Sequence, residues 1–284
     1  MKTSTQLKAK ARNLSTKTNI PPHIIQRNYF LERFLERVSL SNYRDTIILK
    51  GGVLITSLLG IEARATVDLD ATMRARTLTT EGITEIVGEV LRTPIEDNVE
   101  FSITGAEETR VESDYPGCRI TLDVKFDKLR DTVKLDFTAG DVITPKPVEY
   151  GYRLMFDDRE ISVLAYNIET VLAEKFTAIL SLDVANSRMK DFYDIHMLVN
   201  EQRDAISRDV FEKAVKNTAK QRGMSHLLPQ AGHIIDTVSG SPVMAELWRR
   251  YQTAYKYAAG IEYSKVMESL YLLIKWCNPE QNGV

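Results

Sequence analysis

The sequence predicts an α+β protein, with strands and helices mixed in its first half and helices alone in its second. Three observations predict this. The runs "TIILK", "RITLDVKF" and "TVKLDF" have strand character, the last two by strict apolar alternation. Apolar residues recur at three and four throughout the second half. Between the two patterns, "TPKPVEYGYRL" interrupts with two prolines, so a domain boundary falls there or slightly later. We therefore expect a basic helix or arm over residues 1–20, an α/β domain over 21–160 and a helical domain over 161–284.

The elements follow in order. Residues 1–20 carry Lys2, Lys8, Lys10, Arg12 and Lys17 without an acid, as an amphipathic helix or a solvated arm would. From Pro21, residues Ile24, Ile25, Tyr29, Phe30, Phe34, Leu35 and Val38 trace one helical stripe. "TIILKGG" reads as a short buried strand ending at glycines, and "VLITSLLG" as a helix closed by Gly60. "RATVDLDATM" reads as a strand, and the threonines of "TLTTEGITEIVGEVL" suit a helix start. Residues 96–114, rich in acids, fit a solvated excursion or an edge hairpin. "IETVLAEKFTAILSL", "SRMKDFYDIHMLVN", "RDVFEKAVKNTAKQ", "VMAELWRRYQTAYKYA" and "YSKVMESLYLLIKW" read as helices.

Composition narrows the function classes. A formal net charge of -2 over 284 residues does not announce a nucleic-acid binder, so any such surface must be a local basic patch. Two distant cysteines, Cys118 and Cys277, without a Cys or His partner at metal-ligand spacing, argue against a disulfide framework and a zinc site. The N-terminus lacks the apolar core of a signal peptide, and no segment offers about 18 uninterrupted apolar residues. The expectation is a cytoplasmic protein without a membrane span.

The chemistry concentrates in "VDLD". Side chains alternate across a strand, so Asp68 and Asp70 share a face, about 6–7 Å apart. Two ionised carboxylates that close need compensating charge, which a divalent cation with oxygen ligands supplies. "KLDF" turns Asp136 away from Val133, Leu135 and Phe137; if the two strands are neighbours, three acids converge. Taken alone, Asp136 equally suits the polar face of an amphipathic strand. Gly51 and Gly52 stand where backbone could approach a phosphate at a helix N-terminus, and equally suit a tight strand-to-helix turn. Asp191 and Asp194, three apart, share a helix face beside Lys190, and Lys175 sits in an otherwise apolar helix; a solvated salt-bridged face is the bland alternative. His196 and Tyr193 read as packing residues.

In this order the motifs resemble one family. Lys-Gly-Gly at 50–52, Arg-x-Thr-x-Asp-x-Asp at 64–70, "KLDF" and then "VLAEKFTAIL" with "SRMKDFYDIHML" are similar to the AbiEii-type toxins of the polymerase-beta-like nucleotidyltransferases. The resemblance runs from Lys50 to about Leu198. It implies a nucleotidyltransferase domain of mixed sheet and flanking helices, followed by a helical bundle, with the active site in the cleft between. It further implies Gly51 and Gly52 at the nucleotide phosphates, Asp68 and Asp70 as metal ligands, and Asp136 as a third ligand or a base. Lys175 would meet the triphosphate, and Lys190, Asp191 and Asp194 would complete the site from the helical side, with Asp191 a candidate base or positioner of the acceptor. One departure stands out: Val53 follows Gly52, where much of the superfamily has Gly-Ser.

The implied cofactor is Mg2+ or Mn2+, with a nucleoside triphosphate, GTP being one candidate, as substrate. Such toxins serve abortive-infection, phage-resistance systems and are countered by a cognate antitoxin, for which this chain shows no contact surface. Related toxins of the MenT kind extend the 3′ end of tRNA and halt growth reversibly. A tRNA acceptor is therefore expected, met by the basic arm and by Arg249, Arg250, Tyr251, Tyr255, Lys256 and Tyr257. Two alternatives stay open: transfer to a protein or small molecule, and a GTP-binding regulatory module without turnover.

Overall fold

A computed structural model describes residues 1–74, 79–109 and 117–277. The chain forms two compact units, Met1–Asp141 with Pro147–Tyr166, and Val142–Lys146 with Asn167–Val284.

The first unit is a mixed seven-stranded sheet with four helices. Its strands are β1 (Ile47–Lys50), β2 (Asp68–Met73), β3 (Val99–Thr109), β4 (Gly117–Phe126), β5 (Leu129–Ala139), β6 (Val148–Arg153) and β7 (Glu160–Ala165), in the spatial order β3-β4-β5-β2-β1-β7-β6. Pairs β2/β5 and β1/β7 are parallel and the rest antiparallel. β1 lies inside the sheet and is buried at all four positions, which is why "IILK" is an apolar run rather than an alternation. β5 alternates instead, burying Val133, Leu135 and Phe137 while Lys134 and Asp136 face the other way.

The helices are α1 (Ser4–Thr18), α2 (Pro22–Leu40), α3 (Gly51–Leu59) and α4 (Thr80–Leu91). α2 covers the apolar face, with Phe30 and Tyr29 against Phe126 of β4 at ring-centroid distances of 6.3 and 6.1 Å. Basic α1 is a docked helix. Thr3 and Gln6 close a capping box, Leu7 and Ala11 are fully buried, and the Ser4 hydroxyl donates to Asp127 at 2.7 Å.

The hairpin β6–β7 was not foreseen. β6 is an edge strand that buries only Tyr152, so it lacks the alternation that marks a strand in sequence. The acidic stretch read as an excursion or edge hairpin contains edge strand β3.

The second unit contains α5 (Ile168–Leu182), α6 (Met189–Glu201), α7 (Arg208–Gln221), α8 (Ala231–Gly240), α9 (Pro242–Ala254) and α10 (Tyr263–Cys277). The Asn167 side chain caps α5 by accepting from the Thr170 amide at 2.8 Å. Phe211 of α7 packs between Phe176 of α5 and Trp276 of α10, with centroids 6.3 and 5.9 Å away. α8 escaped the sequence reading because it is only 10 residues long with a single apolar stripe, Ile234, Ile235 and Val238. Among the described residues, no helix is long and apolar enough to cross a membrane.

Candidate active site

Strand register builds one half of the candidate site. Lys50 of β1 pairs with Asp70 of β2, Asp70 with Asp136 of β5, and Asp136 with Arg119 of β4. Residues in register point to the same side, so these four form a row across the sheet, with Asp68 two positions along β2 on the same side. Asp68, Asp70 and Asp136 are all partly exposed, whereas Leu69 between the first two is fully buried.

Gly51 and Gly52 bind this row to α3. Gly51 adopts φ +61, and a Cβ there would lie 2.1 Å from Asp70 Oδ2. A Cβ at Gly52 would lie 2.3 Å from Thr66 Oγ1. Only glycine satisfies the left-handed backbone and the close approach together. The Gly52 amide donates to Asp70 Oδ2 at 3.0 Å, so Asp70 itself occupies the anion-seeking start of α3. The glycines were expected at the nucleotide phosphates; here the Gly52 amide is directed at a carboxylate. Buried Arg64 donates to the Gly52 carbonyl at 2.9 Å, and Asn28 donates to the Thr66 carbonyl at 2.7 Å, fixing the entry to β2.

Electrostatics single out Asp68. Burial, then the neighbouring Asp136, and further Asp70, push its carboxyl above the usual range, against the lowering influence of Arg119 and Lys134. Arg119 holds Asp136 by a bidentate pair, Nε to Oδ1 at 2.7 Å and Nη2 to Oδ2 at 2.8 Å. Lys50 is engaged elsewhere: its Nζ donates to Thr138 Oγ1 at 2.7 Å and pairs with Asp141. Tyr166 and Thr138 donate to the same Asp141 oxygen at 3.0 and 2.6 Å. Burial alone would raise Asp141, but Lys50 and these hydroxyls more than offset it and hold the carboxyl at about 2.

This donor set fits a hard divalent cation. Mg2+ characteristically takes one or two carboxylates and completes its shell with water and substrate phosphates. Asp68 and Asp70 are partly exposed oxygen donors on one face of β2. Among the described residues, no group of three or more His, Cys, Asp or Glu stands ready for a metal, and Asp136 is engaged by Arg119. Asp136 as a third ligand is thus not preformed.

The helical unit gathers a second group. Lys175 Nζ of α5 lies 2.7 Å from Asp191 Oδ1 and 2.8 Å from Asp194 Oδ2, both on α6. The aspartates are 3% and 0% exposed, which replaces the alternative of a solvated face by a buried triad. Exposed Arg188 adds an ion pair to Asp191 Oδ2 at 2.9 Å. Lys190, in the first turn of α6 beside Asp191, is partly exposed. His196 pairs with Ser269 at 2.9 Å and Tyr193 is fully buried against Tyr257, so both pack as expected.

Sequence reading missed Arg119, Asp141 and Tyr166. Arg119 had a usable signal. A tight turn at Asp127 and Lys128 pairs Phe126 with Leu129, and counting outward brings Arg119 opposite Asp136.

The fold is that of nucleotidyltransferase proteins. The chain is similar to the nucleotidyltransferase toxin MenT4 from Mycobacterium tuberculosis H37Rv, with TM-score 0.54 and 15% identity over 94% of this chain and 98% of that one. It is also similar to a candidate nucleotidyltransferase from H. pylori, with TM-score 0.51 and 13% identity over 92% and 98% of the respective chains. No curated protein matches the chain. The family of nucleotidyl transferase AbiEii toxins of type IV toxin–antitoxin systems matches residues 33–265, and the chain belongs to that family. The protein is accordingly a nucleotidyltransferase toxin, a class that uses a nucleoside triphosphate and a divalent metal and is countered by an antitoxin.

Proposed function

We propose that the protein transfers a nucleoside monophosphate from a nucleoside triphosphate to the 3′ end of an RNA, with tRNA as the acceptor and reversible growth arrest as the result. One observation carries the transfer half: Asp68 and Asp70 lie on one face beside the start of α3, with Asp136 in register with Asp70 on the neighbouring strand.

Asp68 and Asp70 would hold Mg2+ or Mn2+, which when bound offsets the charge that builds on the phosphates. The chain's own groups do the rest. The Gly52 amide keeps Asp70 in place, and Arg64 and Asn28 hold the strand entry rigid. The acceptor hydroxyl oxygen bonds to the α-phosphorus, the α–β bridge breaks with its electrons leaving on pyrophosphate, and the hydroxyl proton passes to a carboxylate of the row. Within the helical unit, Lys175 is a point charge suited to phosphate, positioned by Asp191 and Asp194, with Lys190 beside them. GTP is the donor we would try first.

Two charged surfaces support an RNA acceptor. α1 and the residue before its cap expose Lys2, Lys8, Lys10, Arg12 and Lys17, and the first acid of the chain is Glu32. A surface helix of one sign, rigidly docked, complements a phosphate backbone. In the helical unit, Arg249, Arg250 and Lys256 are exposed around Tyr251, Tyr257 and Tyr255, the last 45% exposed, although Glu246 pairs with both arginines.

The test is a labelling screen. The protein is incubated with each α-labelled ribonucleotide, Mg2+ or Mn2+, and total RNA, protein or small-molecule acceptors. The expected result is metal-dependent label on tRNA with pyrophosphate release. Label confined to protein or a small molecule overturns the RNA acceptor, and nucleotide binding without pyrophosphate overturns transfer.

A further inference from the structure

We infer that Arg119 is the resident countercharge of the acid row, holding Asp136 out of reach of a cation until metal displaces it. The inference rests on the reading of Asp68 and Asp70 as the metal site.

Two arginine–aspartate pairs in the same unit are both bidentate and differ in setting. Arg37 grips Asp97 with Nη1 to Oδ2 at 2.7 Å and Nη2 to Oδ1 at 3.0 Å, both side chains 6% exposed, and also donates to the Val99 carbonyl at 3.0 Å. This pair is a buried strut, and removing one partner would strand the other. The Arg119–Asp136 pair is equally bidentate but 30% and 26% exposed, so solvent reaches both partners and the pair opens readily.

Its neighbours differ as well. Arg119 feels Asp68 as well as Asp136, and Asp68 feels Asp136, Arg119 and Asp70. The guanidinium therefore answers a charge excess larger than its own partner. Lys50, the other cation of the row, cannot share that task because Thr138 and Asp141 hold its ammonium, and Lys134, in register with Asp68, is exposed and acts on Asp68 less than Arg119 does. A cation entering between Asp68 and Asp70 meets a fixed positive charge nearby and finds Asp136 already engaged. Coulomb repulsion lowers its affinity, and freeing Asp136 would add an oxygen ligand. Arg119 is thus a positioning residue that keeps the empty site neutral enough to be stable and weak enough to load its metal with the triphosphate, whose phosphates supply the missing ligands.

The experiment measures Mn2+ binding to the full chain without nucleotide, by electron paramagnetic resonance of free Mn2+, with melting curves in chelator and in Mn2+. Arg119→Gln is expected to bind Mn2+ at least about tenfold more tightly than the unaltered protein. It is also expected to melt lower in chelator and recover in Mn2+. Arg119→Lys, which keeps the charge and loses the fork, should fall between. Asp136→Asn, which leaves Arg119 without its acid beside Asp68, should bind Mn2+ more weakly; this opposite sign tests the inference even if Arg119→Gln fails to fold. Equal or weaker binding by Arg119→Gln or Arg119→Lys, with the unaltered protein binding normally, overturns the role of Arg119 and leaves the metal site standing. Absence of binding in every variant overturns both.

Discussion

The sheet unit and the helical unit each gather carboxylates around a basic side chain, and they do so to opposite effect. In the helical unit, Lys175 lies between Asp191 and Asp194, with both acids out of solvent and Arg188 as a second cation. Two negative charges meet two positive ones. In the sheet unit, Asp68, Asp70 and Asp136 are all partly exposed and meet the Arg119 guanidinium and, in register with Asp68, the exposed Lys134, while Lys50 is committed to Asp141. A compensated, buried cluster stabilises a geometry; an undercompensated, accessible one invites a ligand of opposite charge. The contrast separates positioning chemistry from reacting chemistry without reference to residue type, since both clusters are built from the same two kinds of side chain.

The contrast is sharpest at Asp68. Asp68→Ala is expected to lower metal-dependent transfer on the order of a thousandfold, the loss that accompanies removal of several kcal/mol of charge stabilisation. Its melting temperature should hold or rise, because the residue removed sits against two like charges. Full activity in pyrophosphate release would break the assignment of the reacting cluster.

Lys175→Met should do the reverse in stability. It leaves Asp191 and Asp194 buried against each other, and chemical denaturation is expected to show a loss of about 3–5 kcal/mol. A neutral outcome would mean that the triad is no more than a surface ion pair.

Gly51→Ala probes the seam between β1 and α3. The left-handed backbone costs about 1–3 kcal/mol for a residue with a Cβ, and the added methyl would meet Asp70 2.1 Å away. Denaturant titration should record that loss. Transfer should fall with it, because Asp70 must move from the amide that holds it.

Much of the scaffold was legible in the sequence. α5 and α7 have the bounds their periodicity suggested, since each presents an uninterrupted apolar stripe to neighbours within its unit. Asp68 and Asp70 could be placed on one face from spacing alone, and Asp136 on the polar face of its strand, because alternation is a local property. What was illegible depends on which strands become neighbours. β6 hides its identity by being solvated, and α8 by being short. The Lys50–Asp141–Tyr166 network joins residues from three separate stretches, which no periodicity encodes. The glycines were half legible: their position before a helix was plain, but the approach of Asp70 that requires them was not.

The pairing of β1 with β7 has a consequence for how the toxin comes into being on the ribosome. Ile48 and Leu49 pair with Leu164 and Ala165, and the Tyr166 amide donates to the Leu49 carbonyl at 2.9 Å. Lys50 likewise waits for Asp141, 91 residues downstream. Until those late residues emerge, the strand that leads into Gly51 has a bare apolar edge and its terminal lysine lacks its anchor. A nascent chain halted before Glu160 therefore holds the strands that carry Asp68, Asp70 and Asp136 without the β7 partner that covers β1. The parallel β1/β7 pairing thus closes late in synthesis, after the whole of β2 to β6 has emerged.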